Sequence, residues 1–169
     1  MPVVTYEKDG AVGLVTMAKP PHNLIDEVFL DDLLAAYRGA VADGCRAVLL
    51  RSGMRHFCAG ADVSGFTGER RRRNQKDFDA LIDALENVPL PVVGAVHGAA
   101  LGGGFELALT CDVIIAANTA SFGMAEASLG LLPLLGGVQR VVQRAGRRGP
   151  RRWPCSLGGT TRRRWSAGG

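Results

Sequence analysis

His97-Gly98-Ala99-Ala100-Leu101-Gly102-Gly103-Gly104-Phe105-Glu106 is the stretch around which this 169-residue chain is organised. An apolar β-type run, Pro91 to Val96, leads into it, and a helical run ending near Thr110 leads out. A strand that feeds a glycine triplet opening a helix exposes backbone N–H groups where negative charge is stabilised. Phosphate is the usual ligand of such a turn, yet a carboxylate at Glu106, one turn in, would repel it. The arrangement therefore suggests donors for an oxyanion, with Glu106 handling protons beside it.

Working outward, apolar strands alternate with amphipathic helices. Val3–Glu7 and Ala11–Met17 read as a hairpin joined at Lys8-Asp9-Gly10. Lys19-Pro20-Pro21-His22-Asn23 is a proline-stiffened loop. A helix is expected from an Asp26 cap to about Ala42, with Leu30, Leu33, Leu34, Tyr37 and Val41 on one face and Gly44 as its stop. Ala47–Leu50 reads as a strand covered on both faces. Ser52 to Gly68 is a long loop, of the kind that is functional or disordered. A helix from Glu69 to Asn87 turns Phe78, Leu81, Ile82 and Leu85 inward. The arginines from Arg70 to Arg73 sit at its start, most simply as a solvated face with room for an anionic ligand end. Val113–Ala117 is a further strand, Asn118 to Ser121 a turn, and Gly136-Gly137 opens a final helical run, Val138 to Arg144. The fold class is α/β with crossover connections.

Composition narrows the functions available. An apolar content of 47% suffices for a core, no apolar run reaches a membrane span, and the N-terminus lacks a signal pattern. Cys45, Cys58, Cys111 and Cys155 are irregularly spaced with no C-x-x-C pair, which reads as idle thiols in a reducing, cytoplasmic setting. Nothing links His22, His56 or His97 to carboxylates at metal-ligand spacing, and no dinucleotide or P-loop motif occurs. The net charge of +4 is a tail effect. Seven of the 20 basic residues follow Gly146 and none of the 16 acidic ones does, so the remainder carries 13 against 16, a balance of −3.

Three features can converge on one chemistry: Gly60-Ala61 in the long loop, the glycine triplet, and the carboxylates of Glu106 and Glu126. Two N–H groups from separate turns can hold a thioester oxygen as it becomes an oxyanion, and losing one such donor typically costs about 3 to 4 kcal/mol of barrier. Carboxylates among apolar neighbours tend toward raised pKa values, and a close pair titrates jointly. Each feature alone has a plainer meaning: close helix packing for the glycines, dipole complementation for Glu106, a solvated turn for Glu126. Their order and spacing together shift the balance.

Phe57-Cys58-Ala59-Gly60-Ala61-Asp62, Gly98-x-x-Leu101-Gly102-Gly103-Gly104-Phe105-Glu106-Leu107-Ala108, Cys111-Asp112 and Phe122-Gly123-Met124-Ala125-Glu126-x-x-Leu129-Gly130 resemble the enoyl-CoA hydratase/isomerase (crotonase) family. Gly136-Gly137-x-Gln139-Arg140 agrees, and the resemblance spans about residues 3–145. It implies a spiral of ββα units assembled as homotrimers or paired trimers. It implies that Ala61 and Gly103 supply the oxyanion-hole N–H groups and that Glu106 and Glu126 are the catalytic pair. Ala59, Gly60, Ala61 and Asp62 fall in the region that contacts the substrate's coenzyme A. Having both glutamates favours hydration of a trans-2-enoyl-CoA to a 3-hydroxyacyl-CoA, with no cofactor beyond the CoA thioester substrate itself.

After Arg144 the resemblance stops. Residues 1–145 read as the crotonase-like core. Residues 146–169, rich in Arg and Gly and carrying both tryptophans, lack apolar periodicity and read as a disordered tail, the out-of-frame extension of a C-terminally truncated hydratase. The usual C-terminal helical region would then be missing. Two alternatives stand beside hydration: another acyl-CoA reaction of the family, such as isomerisation, and an inactive scaffold whose basic tail binds a polyanion.

Overall fold

A computed structural model of the chain describes residues 2–62, 82–130, 132–133, 136–145 and 160–161. Most of residues 146–169, the arginines at 70–73, Cys155 and the first part of the expected helix from Glu69 lie outside the described residues.

β1 (Val4–Asp9) and β2 (Val12–Met17) form an antiparallel hairpin whose last pair is Asp9 with Val12. The connection is thus Gly10-Ala11, and Lys8 and Asp9 belong to the strand rather than to the turn expected at Lys8-Asp9-Gly10. α1 (Glu27–Ala42) starts as the spacing predicts: the Asp26 carboxylate accepts the Phe29 N–H at 2.9 Å. Leu30, Leu33, Leu34 and Tyr37 are buried on its inner face, but Val41 is 39% exposed at the helix end. β3 (Ala47–Ser52) lies parallel to β2, and β4 (Val92–Val96) parallel to β3. Residues 82–86 are helical (α2), with Ile82 and Leu85 buried. β6 (Val113–Ala116) closes a five-stranded sheet of order β1-β2-β3-β4-β6. Its edge position leaves Val113 and Ile115 exposed despite an apolar sequence.

A second sheet holds strands that periodicity did not show. β5 (Ala99–Leu101), inside the glycine stretch, pairs in parallel with β7 (Ser121–Gly123), and β8 (Thr160–Thr161) pairs antiparallel to β7. Three-residue strands are too short for a period of two, and they stand only because they find one another. α3 (Gly103–Thr110) follows β5 directly. A 3-10 turn (Glu126–Leu129) follows β7, and α4 (Gly137–Ala145) packs on α3. The mixed sheet with helical crossovers is the α/β fold expected. Among the described residues, no helix is long and apolar enough to cross a membrane.

Candidate functional site

The parallel pairing of β5 with β7 builds the site. Leu101 lies opposite Gly123, and the Gly102 N–H donates to the Gly123 carbonyl at 2.8 Å. Whatever follows one strand therefore emerges beside whatever follows the other. Gly102, the N-cap of α3, follows β5; Glu126 comes three residues after β7. A Cβ placed on Gly102 would sit 2.9 Å from Glu126 Oε1, so the carboxyl group rests on the glycine turn itself. Gly102 also has φ +51, a left-handed conformation that suits glycine.

Residues 57–61 line the other side of this turn. Cys58 bridges Ala100 in parallel, taking the Leu101 N–H at 3.0 Å and giving its own to Ala99 at 3.1 Å. Beyond that bridge come Ala61 on one side and Gly103, the first residue of α3, on the other; a Cβ on Gly60 would lie 3.2 Å from the Leu101 carbonyl oxygen. Ile25 gives its N–H to Gly60 and accepts that of Asp62. Ala61 spends neither of its own groups in that parallel bridge. Gly103 is the first residue of α3, where no carbonyl of the same helix can reach its N–H. Ala61 is exposed, whereas Gly103 is buried at the helix start. Ala59 and Asp62 donate their N–H groups back to His22 and Ile25, which leaves them holding the segment in place.

The two carboxylates have different surroundings. Glu106, one turn into α3, is 2% exposed, and its Oε1 accepts the Gly137 N–H at 2.8 Å. Glu126 is partly buried. Burial pushes its pKa above the ordinary carboxylate value, against a smaller opposing effect of its own backbone N–H. Its Oε2 is enclosed and has no hydrogen-bond partner among the described residues. A carboxyl group that is hard to ionise suits proton transfer.

Other sequence candidates take supporting roles. Burial raises the Cys58 and Cys111 thiols to about 12, which makes them inert. His97 Nε2 meets the Met54 carbonyl at 2.7 Å and His56 Nδ1 meets the Ala99 N–H at 3.2 Å, so both histidines brace the loop. Two open hollows of about 320 and 400 Å³, both bordered by Val88 and Pro89, are lined by none of the candidate site residues.

Sequence reasoning passed over Asn23. It is fully buried with φ +54; its amide donates to Ser52 Oγ at 2.8 Å and the Phe57 carbonyl at 3.0 Å, and its carbonyl accepts the Lys19 N–H at 2.7 Å. That network sets the start of the 57–61 segment. The available signal was an asparagine after two prolines, a residue that tolerates left-handed backbone and satisfies its neighbours.

With this geometry in view, likeness to known proteins becomes informative. A family model described as enoyl-CoA hydratase/isomerase matches residues 7–153. A probable enoyl-CoA hydratase of Bacillus subtilis is 33% identical over 151 residues, covering 86% of this chain and 58% of that protein. One from Rhizobium meliloti is 38% identical over 144 residues, covering 83% and 56%. Among solved structures, an enoyl-CoA hydratase subunit I from Geobacillus kaustophilus superposes with a TM-score of 0.87 at 30% identity, covering 98% of this chain and 65% of that one. Pseudomonas aeruginosa DspI superposes with a TM-score of 0.89 at 29% identity, covering 100% and 71%. The chain spans little more than half the length of the two curated relatives. A family model that accounts for most of the chain, on a fold that superposes throughout, makes this chain a member of the enoyl-CoA hydratase/isomerase family.

Proposed function

We propose that this chain carries the hydration site of an enoyl-CoA hydratase, adding water across the 2,3 double bond of a trans-2-enoyl-CoA. What supports the reading is the seat of Glu126 on Gly102, the turn that opens the helix carrying Gly103 and Glu106. In the proposed reaction the thioester carbonyl oxygen accepts the N–H groups of Ala61 and Gly103, which draws electron density from C3. Water attacks C3 and gives a proton to Glu106. Glu126, protonated beforehand, gives its proton to C2. The C2=C3 π bond is replaced by C3–O and C2–H bonds, and return of a proton from Glu106 to Glu126 resets the pair. The raised pKa of Glu126 favours it as the acid. The addition is redox-neutral and needs no cofactor beyond the thioester. Residues 59–62 are proposed to contact the coenzyme A portion. Assembly as a trimer or paired trimers, in the cytoplasm, belongs to the same proposal.

Loss of crotonyl-CoA absorbance, followed with purified full chain, tests the reading. Glu126→Gln should lower turnover by about 1,000-fold while the thioester still binds. Full turnover in that variant overturns the assignment. A 3-enoyl-CoA offered to the same protein separates hydration from isomerisation, and light scattering measures the assembly.

A further inference from the structure

The Gly136-Gly137-x-Gln139-Arg140 pattern has no part in the chemistry above, yet it opens a helix that touches the candidate base. On α4, positions 137, 140, 141 and 144 share one face by helical spacing. Gly137 gives its N–H to Glu106 Oε1 at 2.8 Å. Arg140 pairs with Glu86, and Val141 is buried. The Arg144 guanidinium caps the far end of α3, donating to the Leu109 carbonyl at 3.3 Å and also to the carbonyl of Cys111. α4 thus grips α3 at both ends: at the carboxylate in its first turn and at the carbonyls of its last.

We propose that Gly137 and Arg144 are positioning residues for Glu106, with α4 acting as a clamp that fixes the direction of its carboxylate. Gly137 is confined to glycine by contact, since a Cβ there would lie 2.7 Å from Glu106 Cγ, 2.7 Å from Met124 Cε and 2.8 Å from Glu106 Oε1. The N–H reaches the carboxylate only because nothing projects between them. Arg144 works at a distance. α3 is eight residues long and lacks a side-chain cap at its start, so the carbonyl end is where a guanidinium can stop it sliding along its axis. A shift of that short helix moves Glu106 with it, and misplacement by about 1 Å can cost 100-fold in rate.

The proposal rests on Glu106 being the base in the reading above, and two measurements on the full chain keep the two apart. The first is crotonyl-CoA hydration, with rates normalised to folded protein by circular dichroism. Arg144→Ala should lower kcat about tenfold and leave KM within about twofold, and Arg144→Lys should restore part of the loss. Equal kcat in all three proteins overturns the clamp, as does a loss confined to KM. If Glu106→Gln keeps wild-type turnover, the base assignment falls instead. The second measurement needs no turnover: amide hydrogen exchange at Gly137. Its proton should be protected in the wild-type chain and exchange at least about tenfold faster in Glu106→Ala, while Val141 keeps its protection. Unchanged exchange at Gly137 in Glu106→Ala overturns the contact on which the clamp depends.

Discussion

Glu106 and Glu126 border the same glycine turn, but they are held in unlike ways. Glu106 sits on a helix, almost fully buried, with one oxygen taken by the Gly137 N–H. Glu126 sits at the start of a 3-10 turn, partly open, with an enclosed oxygen that no described group satisfies. The first is fixed by covalent geometry and packing; the second is placed by pairing between β5 and β7 and left in a costly electrostatic state. Two identical side chains beside one turn are thus held in different environments by elements from separate parts of the chain.

That contrast can be tested on each side. The largest expected effect is on the Glu106 side, where α3 is locked to the 57–61 segment. A Cβ at Gly104 would meet the Cys58 carbonyl oxygen at 2.3 Å and its Cβ and Sγ at 2.7 Å. Gly104→Ala should cost about 3 kcal/mol of unfolding free energy in a urea titration. A cost under about 0.5 kcal/mol would mean that the seam can part without penalty, and that Glu106 is less fixed than its packing indicates.

An intermediate effect is expected at Gly102, which belongs to both carboxylates. Gly102→Ala places a side chain at φ +51 and drives a Cβ to 2.9 Å from Glu126 Oε1. Strain of about 2 kcal/mol should appear in the same titration. Hydration by folded protein should fall more steeply than stability does, because Glu126 is pushed from its seat. Unaltered activity would show that Glu126 does not need that seat.

The smallest effect reads the electrostatics of Glu126 directly. Its raised pKa means that the folded chain binds this proton more tightly than the unfolded chain. Stability from this group is therefore greatest below the ordinary carboxylate range and falls as pH climbs through the raised value. Glu126→Gln removes that fall. Its Tm should exceed wild type by about 1 to 3 °C at pH 8, a small gain because the group is half open to solvent. The gap should close below about pH 4, where the wild-type group is protonated in both states. A gap that widens on acidification would reverse the sign and place Glu126 in an anion-stabilising site.

Much of this architecture was legible from local pattern. Asp26 as a cap, the inner face of α1, the hairpin and the strand before the glycine triplet all follow from spacing and cap chemistry, which act over a few residues. The hairpin turn slid by two positions because Asp9 keeps its pairing with Val12. β5 and β7 were invisible because neither carries a periodic signal of its own. β6 was legible as a strand, but its place at a sheet edge is a matter of strand order that no local run can encode. The resemblance to the family pointed to the site residues, but it assigned no mechanical role to Asn23, Gly137 or Arg144. Each of those roles is a contact across 31 residues or more in chain separation, or a buried polar network.

By itself, the sequence determined the alternation of helices and strands, the glycine turn that opens α3, and the candidate identity of two carboxylates. Those follow from backbone freedom, hydrophobic period and family likeness. Tertiary structure alone decided that Glu126 lies on Gly102, that Glu106 faces the start of α4, and that the two differ in burial. Proton affinity and aim depend on neighbours brought from distant parts of the chain, and only the parallel pairing of two three-residue strands, with α4 closing over α3, brings them together.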